Sequence, residues 1–134
     1  MTAGTVLLWR HGRTPHNVAL RLQGQVDIAL DDVGHRQAAA AAAALADTVT
    51  VDAIVTSDLG RARSTAAHLG DRTGHRPVVD ARLRERGFGR WEGLTGEEIS
   101  AGWPEQYAAW RTGESPSGST PRPVPTWPAA WSRP

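Results

Sequence analysis

Arginine and histidine stand side by side in Arg10-His11-Gly12, at the end of the apolar and β-branched run Thr5-Val6-Leu7-Leu8-Trp9. An imidazole in that position can act as a base or a nucleophile, and the guanidinium beside it offers a planar fork of N–H donors suited to an anion. The run reads as a strand buried on both faces of a parallel sheet. Open α/β sheets place their ligand sites at the carboxyl ends of such strands. Composition sets several other chemistries aside. The chain has no cysteine, which removes thiolate nucleophiles, disulfides and thiolate metal sites. His11 and His16 lack the spacing of helical metal ligands, and there is no His-Glu-x-x-His, so no metal is expected. His16, His35, His68 and His75 read as surface or packing residues. Gly87, Gly89 and Gly93 have the wrong spacing for a dinucleotide fingerprint, and no strand-to-helix turn surrounds them.

The elements that must position Arg10 and His11 belong to one ordinary soluble domain by length and composition, with 134 residues, 40% hydrophobic and 22% charged. A formal net charge of +1 does not suit a general polyanion binder, and Trp91, Trp103 and Trp110 read as packing rather than a base-stacking platform. No nucleic acid is expected as a partner. All 15 basic residues are arginine, which reads first as GC-rich coding. The start lacks the basic and apolar regions of a secretory signal, and no stretch nears the roughly 18 apolar residues of a membrane span. A cytoplasmic protein without membrane partners is therefore expected.

Asp31 can cap a helix running through the Ala38 to Ala44 tract to about Asp47, since alanine has the best helix propensity. Ala53 to Thr56 is the expected second strand. Ser57 or Asp58 is the expected cap of a helix from about Leu59 to Arg72, and Gly74 ends it. Val78-Val79 is a third strand, followed by an irregular stretch from Arg82 to Gly89 and short helices at Glu97 to Ala101 and Glu105 to Trp110. Strand alternating with helix indicates an α/β fold with a mainly parallel sheet. After Gly113 the character changes, and Pro121, Pro123, Pro125, Pro128 and Pro134 bar a continued helix or sheet interior.

The string Leu8-Trp9-Arg10-His11-Gly12-Arg13-Thr14-Pro15-His16-Asn17 resembles the signature of the histidine phosphatase superfamily, also called phosphoglycerate-mutase-like. Further landmarks follow in the family's order. They are Gln23-Gly24 with Asp27 and Leu30, Gly34 with Gln37-Ala38, and Ser57-Asp58-Leu59-Gly60-Arg61-Ala62 with Thr65-Ala66. Arg82-Leu83-Arg84-Glu85 with Gly89-Arg90-Trp91-Glu92-Gly93 completes the set, and the resemblance covers about residues 5 to 111.

The resemblance implies a three-layer α/β/α fold and a small phosphorylated substrate. It makes His11 the nucleophile that forms a phosphohistidine, Arg10 and Arg61 the phosphate clamp, and Glu85 the acid/base residue. Asn17 matches a position that hydrogen-bonds the phosphoryl group, while Gln23 and Gly24 match positions lining the substrate side. Chemistry agrees with these roles. A neutral imidazole can divide one hard hydrolysis into two displacements, and guanidinium groups stabilise charge on the equatorial oxygens. Arg61, in the first turn of its helix, would add that helix's amide dipole, whereas Arg63 faces another way. Glu85 must be partly buried to hold a proton near neutral pH. No cofactor is implied.

Family members continue past the Trp110 region with a helix and a strand carrying a second active-site histidine, and this chain has no histidine after His75. The expectation is a partial phosphatase domain at residues 1–116, lacking its C-terminal strand and helix. Residues 117–134 are then a proline-rich, disordered tail of the kind a frameshift or mispredicted gene end produces. Losing one positioned donor can cost on the order of 100- to 1000-fold in rate, and an exposed sheet edge would invite pairing with a second copy. Two alternatives to the phosphomonoester hydrolase follow. One is a phosphoglycerate mutase, for whose capping insertion the span from Gly93 to Pro116 leaves little room. The other is an inactive phosphate-binding remnant or half-domain.

Overall fold

The structure, a computed structural model, describes residues 4–113. The expected tail, 117–134, lies outside these residues. Helix α1 is a single turn, Pro15–Val18, with proline at its first position, where no N–H is needed. Thr14 caps it by accepting the Asn17 amide, and the Asn17 side chain accepts the Thr14 amide in return. The long helix α2, Asp32–Thr48, starts as expected: the Asp31 carboxylate accepts the Gly34 N–H at 2.7 Å.

Strand β1, Val55–Thr56, and strand β2, Val78–Val79, pair in parallel with Val55 opposite Val78 and Thr56 opposite Val79. Between them runs α3, Gly60–Thr73. Gly74 closes α3 at φ +74° and returns its N–H to the Gly70 carbonyl, a left-handed cap that glycine adopts without steric penalty. Neither Ser57 nor Asp58 caps the start of α3. The N-cap is Leu59, whose side chain offers no acceptor, and the Gly60 N–H is met instead by Asp27 Oδ1 at 2.7 Å. Asp58 is drawn away by a bidentate pair with Arg84, whose guanidinium also holds its carboxyl below the usual carboxylate range.

Two apolar clusters carry the fold. Ala42 of α2, Ile54 before β1, and Ala66 and Leu69 of α3 form one, with Trp9, Leu45, Ala46 and Val51 packed against it. Alanine on the α2 face lets the two helix backbones approach closely, so the tract serves packing. His35 and His68 join the same helices by a 3.1 Å ring-to-ring hydrogen bond, in keeping with packing residues. The second cluster is aromatic. Phe88, Trp91 and Ile99 are its buried members, and Trp103, Tyr107 and Trp110 close around them. Trp91 meets Trp110 nearly edge to face at 5.9 Å, a favoured quadrupole geometry. The short helices α4, Gly96–Gly102, and α5, Pro104–Arg111, supply that shell.

The first expected strand is corrected. Thr5–Trp9 is not assigned to a strand, and Val6, Leu7 and Leu8 are 54%, 55% and 86% exposed. A strand exists only where a neighbour completes its ladder of N–H and C=O groups. Among the described residues β1 and β2 take each other, and the run from Thr5 has no ladder partner. Only Trp9 at its end reaches the core.

Candidate active site

The loop after Trp9 is held by its amide groups. The Gly12 N–H donates to Thr65 Oγ1 of α3 at 3.0 Å, the Arg13 N–H to Gln37 Oε1 of α2 at 3.0 Å, and the Thr14 N–H to Asn17 Oδ1 at 2.9 Å. Thr65 in turn donates to the Arg61 carbonyl. Gly12 also lies so close to the Gly34 backbone that a Cβ there would overlap the Gly34 carbonyl, so the glycine after His11 is required by close approach. The loop is thus fastened to both long helices.

His11 is half-buried, and its Nδ1 lies 2.7 Å from the Gly12 carbonyl. A carbonyl can only accept, so Nδ1 carries the hydrogen and Nε2 of the neutral ring keeps its lone pair. Burial depresses the His11 pKa below its ordinary value, and the Arg61 and Arg10 charges add to this, while the Gly12 hydrogen bond and the Glu85 charge oppose it. The ring is therefore neutral at neutral pH, with the correct tautomer for attack through Nε2.

Arg61 is 2% exposed and donates to the Gly24 carbonyl at 2.7 Å and the Val26 carbonyl at 2.8 Å. Its remaining N–H groups have no acceptor among the described residues. Burial draws its pKa down, against the charges of Glu85, Asp27 and Glu92. Arg63, by contrast, is exposed. Arg10 is exposed beside His11, within electrostatic reach of the ring.

Asn17 spends its carbonyl oxygen on the Thr14 amide, leaving its NH₂ as the end available to an anion. Gln23 is buried and accepts the Thr14 hydroxyl at 2.7 Å. Thr14 Oγ1 also lies 3.0 Å from Asn17 Oδ1, but one hydroxyl has one hydrogen, and the shorter contact takes it. Gly24 is buried at φ +53°, where a Cβ would overlap the Glu92 carboxylate.

Glu85 is exposed, without the partial burial that its acid role calls for. Its segment is irregular, held by Arg84 on Asp58 and by Gln25 Nε2 on the Glu85 carbonyl at 3.1 Å, with no packed element over the side chain. Its charge nonetheless acts on both His11 and Arg61. The structure thus gathers Arg10, His11, Arg61 and Glu85 electrostatically, with Asn17, Gln23 and Gly24 in the surrounding hydrogen-bonded shell. Sequence reasoning missed the supporting acceptors Gln37 and Thr65 and the cap supplied by Asp27. For Thr14 and Asn17 a signal was present, since Thr-Pro-x-Asn spells a cap, a first-turn proline and its return partner.

The model of the histidine phosphatase superfamily (branch 1) matches residues 6–126. The glucosyl-3-phosphoglycerate phosphatase of Mycobacterium tuberculosis is 47% identical over 111 residues, covering 83% of this chain and 49% of that protein. Its counterpart in Mycolicibacterium vanbaalenii is 45% identical over 111 residues, with the same shares. The solved structure of mycobacterial glucosyl-3-phosphoglycerate phosphatase Rv2419c in complex with VO3 superposes with a TM-score of 0.72 at 48% identity, covering 75% of this chain and 48% of that one. The chain spans about half the length of the curated relatives it matches.

Proposed function

Because the chain belongs to the histidine phosphatase superfamily, with its α/β, phosphoglycerate-mutase-like fold, we propose that it is a phosphomonoester hydrolase working through phospho-His11. The observation that carries the reading is the bond from His11 Nδ1 to the Gly12 carbonyl, which leaves Nε2 as the free nucleophile. Nε2 attacks phosphorus while the bond from phosphorus to the leaving oxygen breaks, and Glu85 gives that oxygen its proton. Water then attacks the phosphohistidine, loses its proton to Glu85, and the nitrogen–phosphorus bond breaks to restore His11 and release phosphate. Arg10 and Arg61, with the Asn17 amide, stabilise charge on the equatorial oxygens. Gln23 and Gly24 shape the substrate side. No metal step enters this scheme.

The names of the two glucosyl-3-phosphoglycerate phosphatases above support hydrolysis over the mutase reaction, and a glucosylated phosphoglycerate is the first substrate to assay. Acid-quench trapping tests the scheme: labelled phosphate should appear on the chain and vanish in His11→Ala, and undiminished label in that variant refutes it. The exposure of Glu85 favours a second reading, a phosphate-binding half-domain that turns over slowly or not at all. Saturable vanadate binding without release of phosphate would select it.

A further inference from the structure

One carboxylate oxygen ties together the two loops that meet at the site. Glu92 Oε1 accepts the Gln25 N–H at 3.0 Å and the Phe88 N–H at 3.0 Å. The same Gln25 donates through its side chain to the Glu85 carbonyl. The peptide carbonyls flanking Gln25, those of Gly24 and Val26, are the ones that accept from Arg61. The segment from Gly24 to Val26 is therefore gripped through its oxygens by the phosphate-clamp arginine and through its amide by Glu92. Gly24 is left no room for a side chain against Glu92. The Glu92 charge also falls on Arg61.

Resting on the phosphatase reading above, we propose that Glu92 is a positioning residue for the acid/base step, holding the Glu85 segment against the Arg61 clamp through Gln25. Glu85 is exposed and lies in irregular backbone. Locally its carboxylate accepts the N–H of the neighbouring Arg86 at 3.2 Å, which does not fix the segment against the site, so that placement comes from these bonds and from the Arg84–Asp58 pair on its other side. Glu92 itself has no part in bond making.

Leaving groups separate this role from general structural damage. An alkyl phosphate needs a proton on its departing oxygen, whereas 2,4-dinitrophenyl phosphate releases a stable phenolate without one. With the full chain, Glu92→Ala and Gln25→Ala should lower kcat for an alkyl phosphate by on the order of 100-fold, the scale of a misplaced catalytic group. The burst of dinitrophenolate that accompanies phosphorylation of His11 needs no such proton and should keep close to the wild-type rate, even where the later release of phosphate, which needs Glu85 as base, is slowed. Glu92→Gln keeps an acceptor oxygen and should restore most of the loss. A dinitrophenolate burst slowed as much as the alkyl turnover, or no rescue by glutamine, overturns the proposal. Amide hydrogen exchange on the resting chain separates this failure from that of the phosphatase reading. Exchange at Gln25 and Phe88 should quicken in Glu92→Ala and not in Glu92→Gln, and unchanged exchange overturns the proposal whatever the turnover. A wild-type chain that hydrolyses neither ester overturns the phosphatase reading, and leaves Glu92 a strap with no catalytic purpose. Gln25→Ala removes one exposed bond, so the comparison survives if Glu92→Ala fails to fold.

Discussion

His11 combines a fixed tautomer with a depressed pKa, and the two have separate consequences. Burial and the Arg61 and Arg10 charges keep the ring neutral below the usual histidine value near 6.5, so the acid limb of phosphoenzyme formation should lie below pH 6.5. Arg10→Ala removes one of the lowering charges and should move that limb upward; a limb that stays in place contradicts the assignment. Stability responds in the same window. Between the folded and unfolded pKa values the unfolded chain binds the proton and the folded chain does not, so stability falls as pH drops through about 6.5. His11→Asn should flatten this part of the Tm profile. The carboxyls of Asp31, Asp58 and Glu98 are depressed by their partners and that of Asp80 sits at about 2, so their contributions are lost only at more acid pH. At Thr65, valine would strip the Gly12 amide of its acceptor. Leaving a buried donor unmet costs about 1–3 kcal/mol, measurable as a lower urea midpoint together with weaker vanadate binding.

Helix α3 depends on a residue more than 30 positions away for its first hydrogen bond. Asp27→Ala should cost about 1 kcal/mol, the usual value of a lost cap, and should also loosen the loop that Arg61 grips through Val26. The sequence Ser57-Asp58-Leu59-Gly60 reads locally as a cap because serine and aspartate favour that role. Propensity loses here to tertiary geometry, since Arg84 claims Asp58 and Leu59 is buried at 5% exposure. Elements whose signals are local were legible: Asp31 before α2 and Gly74 after α3. The alanine tract of α2 was legible as helix for the same reason, since helix propensity is a local property of the residue.

At the scale of the whole molecule, the run from Val6 to Leu8 and the valines of β1 and β2 are exposed apolar surface. Such surface on unpaired extended backbone promotes self-association. Leu8→Lys should lower light scattering at high protein concentration and leave Tm unchanged, because Leu8 is 86% exposed. Unchanged scattering would place the association elsewhere. The amino-acid sequence by itself determined the α/β class, the limits of helices α2 to α5 to within a residue or two, and the family, and it nominated the candidate site residues. These depend on spacing and on residue type, which are written along the chain. Tertiary structure alone decided that Thr5–Trp9 runs without a ladder, that Glu85 is exposed, that Asp27 caps α3, and that Glu92 joins the Gly24 and Phe88 loops. Each of those depends on a partner distant in the chain, and a hydrogen bond or a burial across 30 or 60 residues has no periodicity from which it could be read.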